Sequence, residues 1–129
     1  MEELTSILTE FHTAFGIPHK PAPTADLPEA EYRLRHELMR EENDEYLEGC
    51  EKGDLVAIAD GLGDQLYVLF GTIIAHGMQD KIMEVVREIH RSNMSKLGPD
   101  GKPIRREDGK VLKSDQYFRP NIRPILESK

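Results

Sequence analysis

Residues 39–70 read MREENDEYLEGCEKGDLVAIADGLGDQLYVLF, and this stretch decides the fold. Its first half is dense in acids, with Glu41, Glu42 and Glu45 at spacings of three and four that share one face of a helix. The second half is apolar but carries Asp60 and Asp64, again four apart. Between them Gly49-Cys50-Glu51-Lys52-Gly53-Asp54 reads as a turn joining two antiparallel helices. Folding about a centre between Lys52 and Gly53 sets Glu45 level with Asp60 and Glu41 level with Asp64, about 6 Å further along at ~1.5 Å per residue.

Both acid sets are expected to point inward. Leu34, Leu38, Glu41 and Glu45 form one stripe, and Val56, Asp60, Asp64 and Tyr67 the other. Carboxylates on a core-facing stripe are costly unless paired or liganded, and converging ones repel. A divalent cation relieves both problems, so Glu41, Glu42, Glu45, Asp60 and Asp64 are the expected metal ligands. Oxygen donors alone favour Mg²⁺, with Mn²⁺ as a substitute, over zinc or copper. A di-iron bundle would use Glu-x-x-His pairs, and no histidine follows a glutamate at that spacing. Acid runs are usually solvated faces in a chain with 32% charged residues. The two aspartates inside an apolar segment are what set this run apart.

At 129 residues the chain suits one domain, with a helical body over 1–97 and a basic tail over 98–129. The tail carries the opposite charge to most of the body. Residues 1–90 hold 7 basic and 19 acidic side chains, a balance of −12, whereas residues 91–129 hold 10 and 5, a balance of +5. Such a division suits a small polyanion held through cations on one side and Lys/Arg on the other, and it disfavours duplex nucleic acid. The run Leu66–Ala75 is too hydrophobic for an outer helix of a small bundle, so it is expected at a subunit interface or the bundle centre, and it is too short to span a membrane. No signal-peptide pattern begins at Met1, and Cys50 is the one cysteine, which together predict a cytoplasmic protein.

Periodicity predicts a first helix through Leu4, Ile7, Leu8, Phe11 and Phe15 to Gly16, then a proline-rich loop. A second helix opens at Asp26-Pro28 and ends near Gly49, a third runs from Asp54 to His76-Gly77, and a fourth from Gln79 to Lys96. Beyond Gly98-Pro99, turn signals predict a hairpin of Ile104-Arg105 with Val111–Lys113, and a short helix over Ile122–Leu126. The fold class is therefore all-α, a four-to-five-helix bundle with a hairpin tail.

Asn93 and Lys96 share a face near the end of the fourth helix and offer an amide and an ammonium to phosphate or sugar. A lysine there also compensates the helix dipole. Lys110, Lys113, Tyr117 and Arg119 form a set that closes over a nucleotide, with Tyr117 stacking on the base, or else packs against a second subunit. Gly61 and Gly63 weaken the third helix by roughly 1 kcal/mol each, which points to close helix approach or room for hydrated ions.

Glu41-Glu42-x-x-Glu45, then Asp-Gly-Leu-Gly-Asp-Gln-Leu-Tyr-Val over 60–68 and His-Arg-Ser-Asn-Met-Ser-Lys over 90–96, resemble the all-α nucleoside triphosphate pyrophosphatases. The likeness is to the MazG-like and phosphoribosyl-ATP pyrophosphohydrolase-like group and extends over about Leu34–Leu126. Glu41, Glu42, Glu45 and Asp64 match its EExxE and ExxD pattern; the second-helix glutamate falls on Gly61, with Asp60 one residue earlier. The resemblance implies Mg²⁺-dependent hydrolysis between the α- and β-phosphates of a (deoxy)nucleoside triphosphate. It points to dUTP or a related dNTP and to an obligate homodimer or dimer of dimers. It casts Glu42, Glu45, Asp64 and Asp60 as metal ligands, Glu41 as a ligand or general base, and Lys96 and Lys113 as phosphate-neutralising groups. Phosphoribosyl-ATP is the rival substrate. A catalytically idle nucleotide-binding module and a purely structural helical dimer are the rival classes, separated from an enzyme by metal-dependent pyrophosphate release.

Overall fold

The computed structural model describes residues 1–128 and is mostly helical, with one short hairpin. Two compact units divide it, Met1–Asp80 and a second beginning at Lys81. The first holds α1 (Glu2–Phe15), α2 (Glu29–Lys52) and α3 (Leu55–Ala75); the second holds α4 (Ile82–Met94), a hairpin of β1 (Ile104–Arg105) and β2 (Val111–Leu112), and α5 (Arg123–Glu127).

Gly16 closes α1 at φ 67°, the left-handed conformation that glycine adopts without a Cβ penalty, and its N–H and that of Ile17 satisfy the last carbonyls. The same device ends α2 at Gly53, φ 63°, not at Gly49 as the glycine signal suggested. Gly49 stays helical because its missing side chain serves packing: a Cβ there would lie 3.0 Å from the Ile58 nitrogen. Asp54 follows directly as the α3 N-cap, its carboxylate accepting the Ala57 N–H at 3.1 Å. The connection between α2 and α3 is thus two residues, shorter than expected.

That short turn moves the register. Gly61 faces Tyr46, Gln65 donates to Asn43 at 2.8 Å, and both pairs centre on Gly53-Asp54, about one residue beyond the expected centre. Shifting the centre by one residue changes each partner by two, which on a helix is about 200° of rotation. The inward stripes therefore differ from those predicted. On α2 they comprise Arg35, Leu38, Met39, Glu42, Tyr46 and Gly49, while Leu34 is 56% exposed; on α3 Val56 is 79% exposed and Asp60 is exposed too.

The core lies where α1 crosses α3, with Leu8, Phe70, Ile74 and Ala75 buried, and Leu27 beside them. His12 and Arg35 are buried with it. Arg35 donates from Nη2 to the Val68 carbonyl at 2.8 Å and from Nε to Thr72 Oγ1 at 3.0 Å, and Gly71 leaves room for its guanidinium. As a 21-residue helix, α3 is long and apolar enough to cross a membrane, so its length alone does not exclude a span. It nevertheless carries Asp60 and Asp64 and packs against both α1 and α2.

In the second unit α4 is shorter than predicted, starting at Ile82. The hairpin pairs Ile104 with Leu112 and Arg105 with Val111, as its turn signals indicated except that Lys113 lies beyond β2, and α5 begins one residue later than expected. Two serines fasten the chain after the hairpin: Ser92 Oγ donates to the Phe118 carbonyl at 2.8 Å, and the Phe118 N–H to Ser95 Oγ at 3.1 Å.

Candidate metal centre

The acid run on α2 is split by helical geometry. Arg40 sits one turn from both Glu37 and Asp44 and pairs with each on the exposed face, so Asp44 is an outward, neutralised acid. Glu42 lies about 100° away per residue step and turns toward α3, where it meets Asp64. Glu42, Glu45 and Asp64 each bring a carboxylate oxygen within 4.8 Å of the others. Glu42 and Asp64 are half-buried and Glu45 is exposed, so the cluster is open on one side.

What lets these groups converge is the absence of side chains one turn away. A Cβ on Gly61 would stand 3.0 Å from Tyr46 Cα and 3.1 Å from its nitrogen, so only glycine allows the two backbones this close. The position that the glutamate of the ExxD pattern would occupy is therefore filled by a helix contact.

The electrostatics are those of anions short of a cation. Glu42 Oε2 is fully shielded and has no hydrogen-bond partner among the described residues. Burial first, then the neighbouring Glu45 and Asp64 carboxylates, push the Glu42 carboxyl up to about 7. An orphaned buried oxygen and a like-charged trio of hard oxygen donors fit a divalent cation of the Mg²⁺ or Mn²⁺ kind.

Of the five predicted ligands the structure brings three together. Glu41 is exposed and outside the cluster, and Asp60 is exposed and outside it as well, turned away by the register shift. In the second unit Asn93 is exposed and Lys96 half-buried at the end of α4, while Lys110 and Lys113 flank β2. Lys113 Nζ lies 4.8 Å from the centre of the Tyr117 ring, so one face of that ring already holds a cation. Arg119 is exposed. Arg35, the Asn43–Gln65 pair and the Ser92 and Ser95 anchors were not singled out in the sequence. Arg35 had a usable signal, since it lies seven residues before Glu42 on the same stripe.

No curated protein matches the chain. The family model for phosphoribosyl-ATP pyrophosphohydrolase matches residues 8–93, 86 of the 129, spanning Glu42, Glu45 and Asp64 and stopping short of Lys96 and the hairpin. The chain therefore belongs to the phosphoribosyl-ATP pyrophosphohydrolase family of the MazG-like all-α NTP pyrophosphatase superfamily, whose members are pyrophosphohydrolases acting on phosphoanhydride bonds.

Proposed function

We propose that the protein is a Mg²⁺-dependent pyrophosphohydrolase that splits the α–β phosphoanhydride of a nucleotide triphosphate group, releasing pyrophosphate. The observation that carries this reading is the convergence of Glu42, Glu45 and Asp64, with one Glu42 oxygen shielded and unpartnered. A divalent cation held there would neutralise phosphate charge and lower the pKa of a water. Glu42 and Asp64, half-buried on two packed helices, form the inner part of the set, and the exposed Glu45 lies on its solvent side. Glu41, one residue along and solvent-facing, is our candidate general base. We assign phosphate binding to Asn93, Lys96, Lys110 and Lys113.

Two substrates share this chemistry. The tail pattern favoured dUTP or a related dNTP, and the family match favours phosphoribosyl-ATP at least as directly. We further propose that the chain acts as a homodimer, supported by an apolar groove of about 400 Å³ lined by Met39, Leu62, Gln65, Leu66 and Leu69, with the three leucines about half exposed. Pyrophosphate release from dUTP, the other dNTPs, NTPs and phosphoribosyl-ATP, with Mg²⁺, Mn²⁺ or EDTA, tests the reading. Metal-dependent release favouring one nucleotide supports it; metal binding without release from any nucleotide overturns it in favour of an idle binder.

A further inference from the structure

The first unit contains a second concave site, one helical turn from Asp64. Tyr67 follows Asp64 by three residues, a rise of about 4.5 Å along α3. There it meets α1, whose packing stripe buries Leu8 and His12. A different stripe of α1, Ile7, Glu10, Phe11, Ala14 and Phe15, combines with Tyr67 to line a cavity of about 210 Å³.

Its walls are aromatic and ordered with respect to one another. The Phe11 and Phe15 rings lie 4.6 Å apart at 35°, and Tyr67 meets Phe11 edge-on at 5.4 Å and 79°. Phe15 is 70% exposed, far more than packing within α1 would leave a ring of that size. The one charged group is the Glu10 carboxylate, which accepts hydrogen bonds and donates none when ionised. The volume falls below the ~300–1,000 Å³ of pockets that enclose a whole drug-sized ligand, and suits a single planar ring system.

We propose that this cavity receives the nucleobase of the substrate, with the Phe15 face as its stacking surface and Glu10 accepting from a ring N–H or exocyclic amine. The proposal rests on the pyrophosphohydrolase reading, because Tyr67, which lines the cavity, stands one helical turn from Asp64, one of the carboxylates that would hold the phosphates. It also reassigns the stacking role given to Tyr117, whose ring carries Lys113. Charge decides the occupant: a carboxylate at the rim of aromatic walls repels a phosphate and welcomes a base edge bearing donors.

The test uses the full chain and its Phe15→Ala and Glu10→Gln variants. Two readouts separate this inference from the reading beneath it: steady-state kinetics on the nucleotide panel, and saturation-transfer NMR with phosphate-free nucleosides. Phe15→Ala is expected to raise KM for the preferred nucleotide about 5- to 100-fold, with most of the loss in KM and not in kcat. Glu10→Gln is expected to change the preference between amino-bearing and keto bases. Nucleoside signals saturated by the wild type should vanish with Phe15→Ala, whether or not pyrophosphate is released. Unchanged KM in an active enzyme, nucleoside signals indifferent to both variants, or losses that appear only with a changed oligomeric state by light scattering would each overturn the pocket. Absence of pyrophosphate release with retained nucleoside contact would overturn the hydrolase reading and leave the pocket standing.

Discussion

Along one stripe of α2 the fold treats two shielded charged groups, Arg35 and Glu42, oppositely. At one end Arg35 is 8% exposed, with no carboxylate at ion-pair distance among the described residues, yet the Val68 carbonyl and Thr72 hydroxyl accept its hydrogen bonds. Two turns along the same stripe, Glu42 shields an oxygen that nothing among the described residues partners, beside two further acids. A buried charge whose hydrogen bonds the fold supplies has its desolvation cost offset; one left unsatisfied among like charges costs stability until something else satisfies it. The contrast separates a structural polar group from one kept for a ligand.

The largest effect should come from the unsatisfied end. Glu45→Gln and Asp64→Asn are expected to lower turnover by more than about 100-fold while circular dichroism stays native, since each removes a charged donor without disturbing packing. A Glu45→Gln enzyme turning over at the wild-type rate would remove that residue from the site. At the satisfied end Arg35→Met is expected to lower unfolding free energy by about 2–3 kcal/mol in urea titrations, the loss of two hydrogen bonds from a charged donor. If Arg35→Met were neutral, the two ends would not differ in the way proposed.

Between the two, Gly61→Ala probes the close approach that lets the acids converge. Its Cβ would meet Tyr46 backbone at 3.0 Å, so the helices must part, at a cost of about 1–3 kcal/mol and with weaker Mn²⁺ affinity. Alanine at 61 with full stability and affinity would show that the spacing is not set there.

The smallest effect is a pH dependence. A Glu42 carboxyl held at about 7 when folded, against an ordinary value near 4.5, means that the metal-free folded state binds the extra proton. That contribution to stability is fully present below about pH 4.5 and is lost as the pH rises through about 7. Melting temperature in EDTA should therefore fall across this window for the wild type, with Mg²⁺ reversing the fall above pH 7 by mass action. His12 works in the opposite sense, because burial lowers its pKa: its share is present above pH 6.5 and lost below it. A His12→Asn background isolates the Glu42 slope.

Much of this architecture was legible in the chain because its signals are local. Gly16, the Asp54 cap, Gly77 and the Asp108-Gly109 turn each act through their own backbone, and the end of α1, the bounds of α3 and the hairpin pairing followed from them. Register was not legible, because it depends on the exact length of a turn. Gly49 read as a helix stop but is a contact residue, and that difference alone moved Asp60 out of the acid cluster and turned Leu34 and Val56 outward. Glu42, Glu45 and Asp64 still meet because the new register sets Asp64 level with Asn43-Asp44, between Glu42 and Glu45, which lie three apart on one face of α2. Arg35 escaped notice because a lone arginine on a charged helix reads as surface, and only the Gly71 gap opposite it shows otherwise.

The most direct measurement is a calorimetric titration of Mn²⁺ into wild type and Glu42→Gln at pH 7.5 to 8, about a unit above the raised carboxyl, paired with their melting temperatures in EDTA. Glu42→Gln removes a poorly solvated charge at nearly constant shape and sets an amide beside two carboxylates, so the account predicts that it loses metal binding yet is more stable than the wild type without metal, by about 1–2 kcal/mol. A variant that binds Mn²⁺ as tightly as the wild type, or that is less stable in EDTA, would contradict the claim that this carboxylate is kept unsatisfied for a cation.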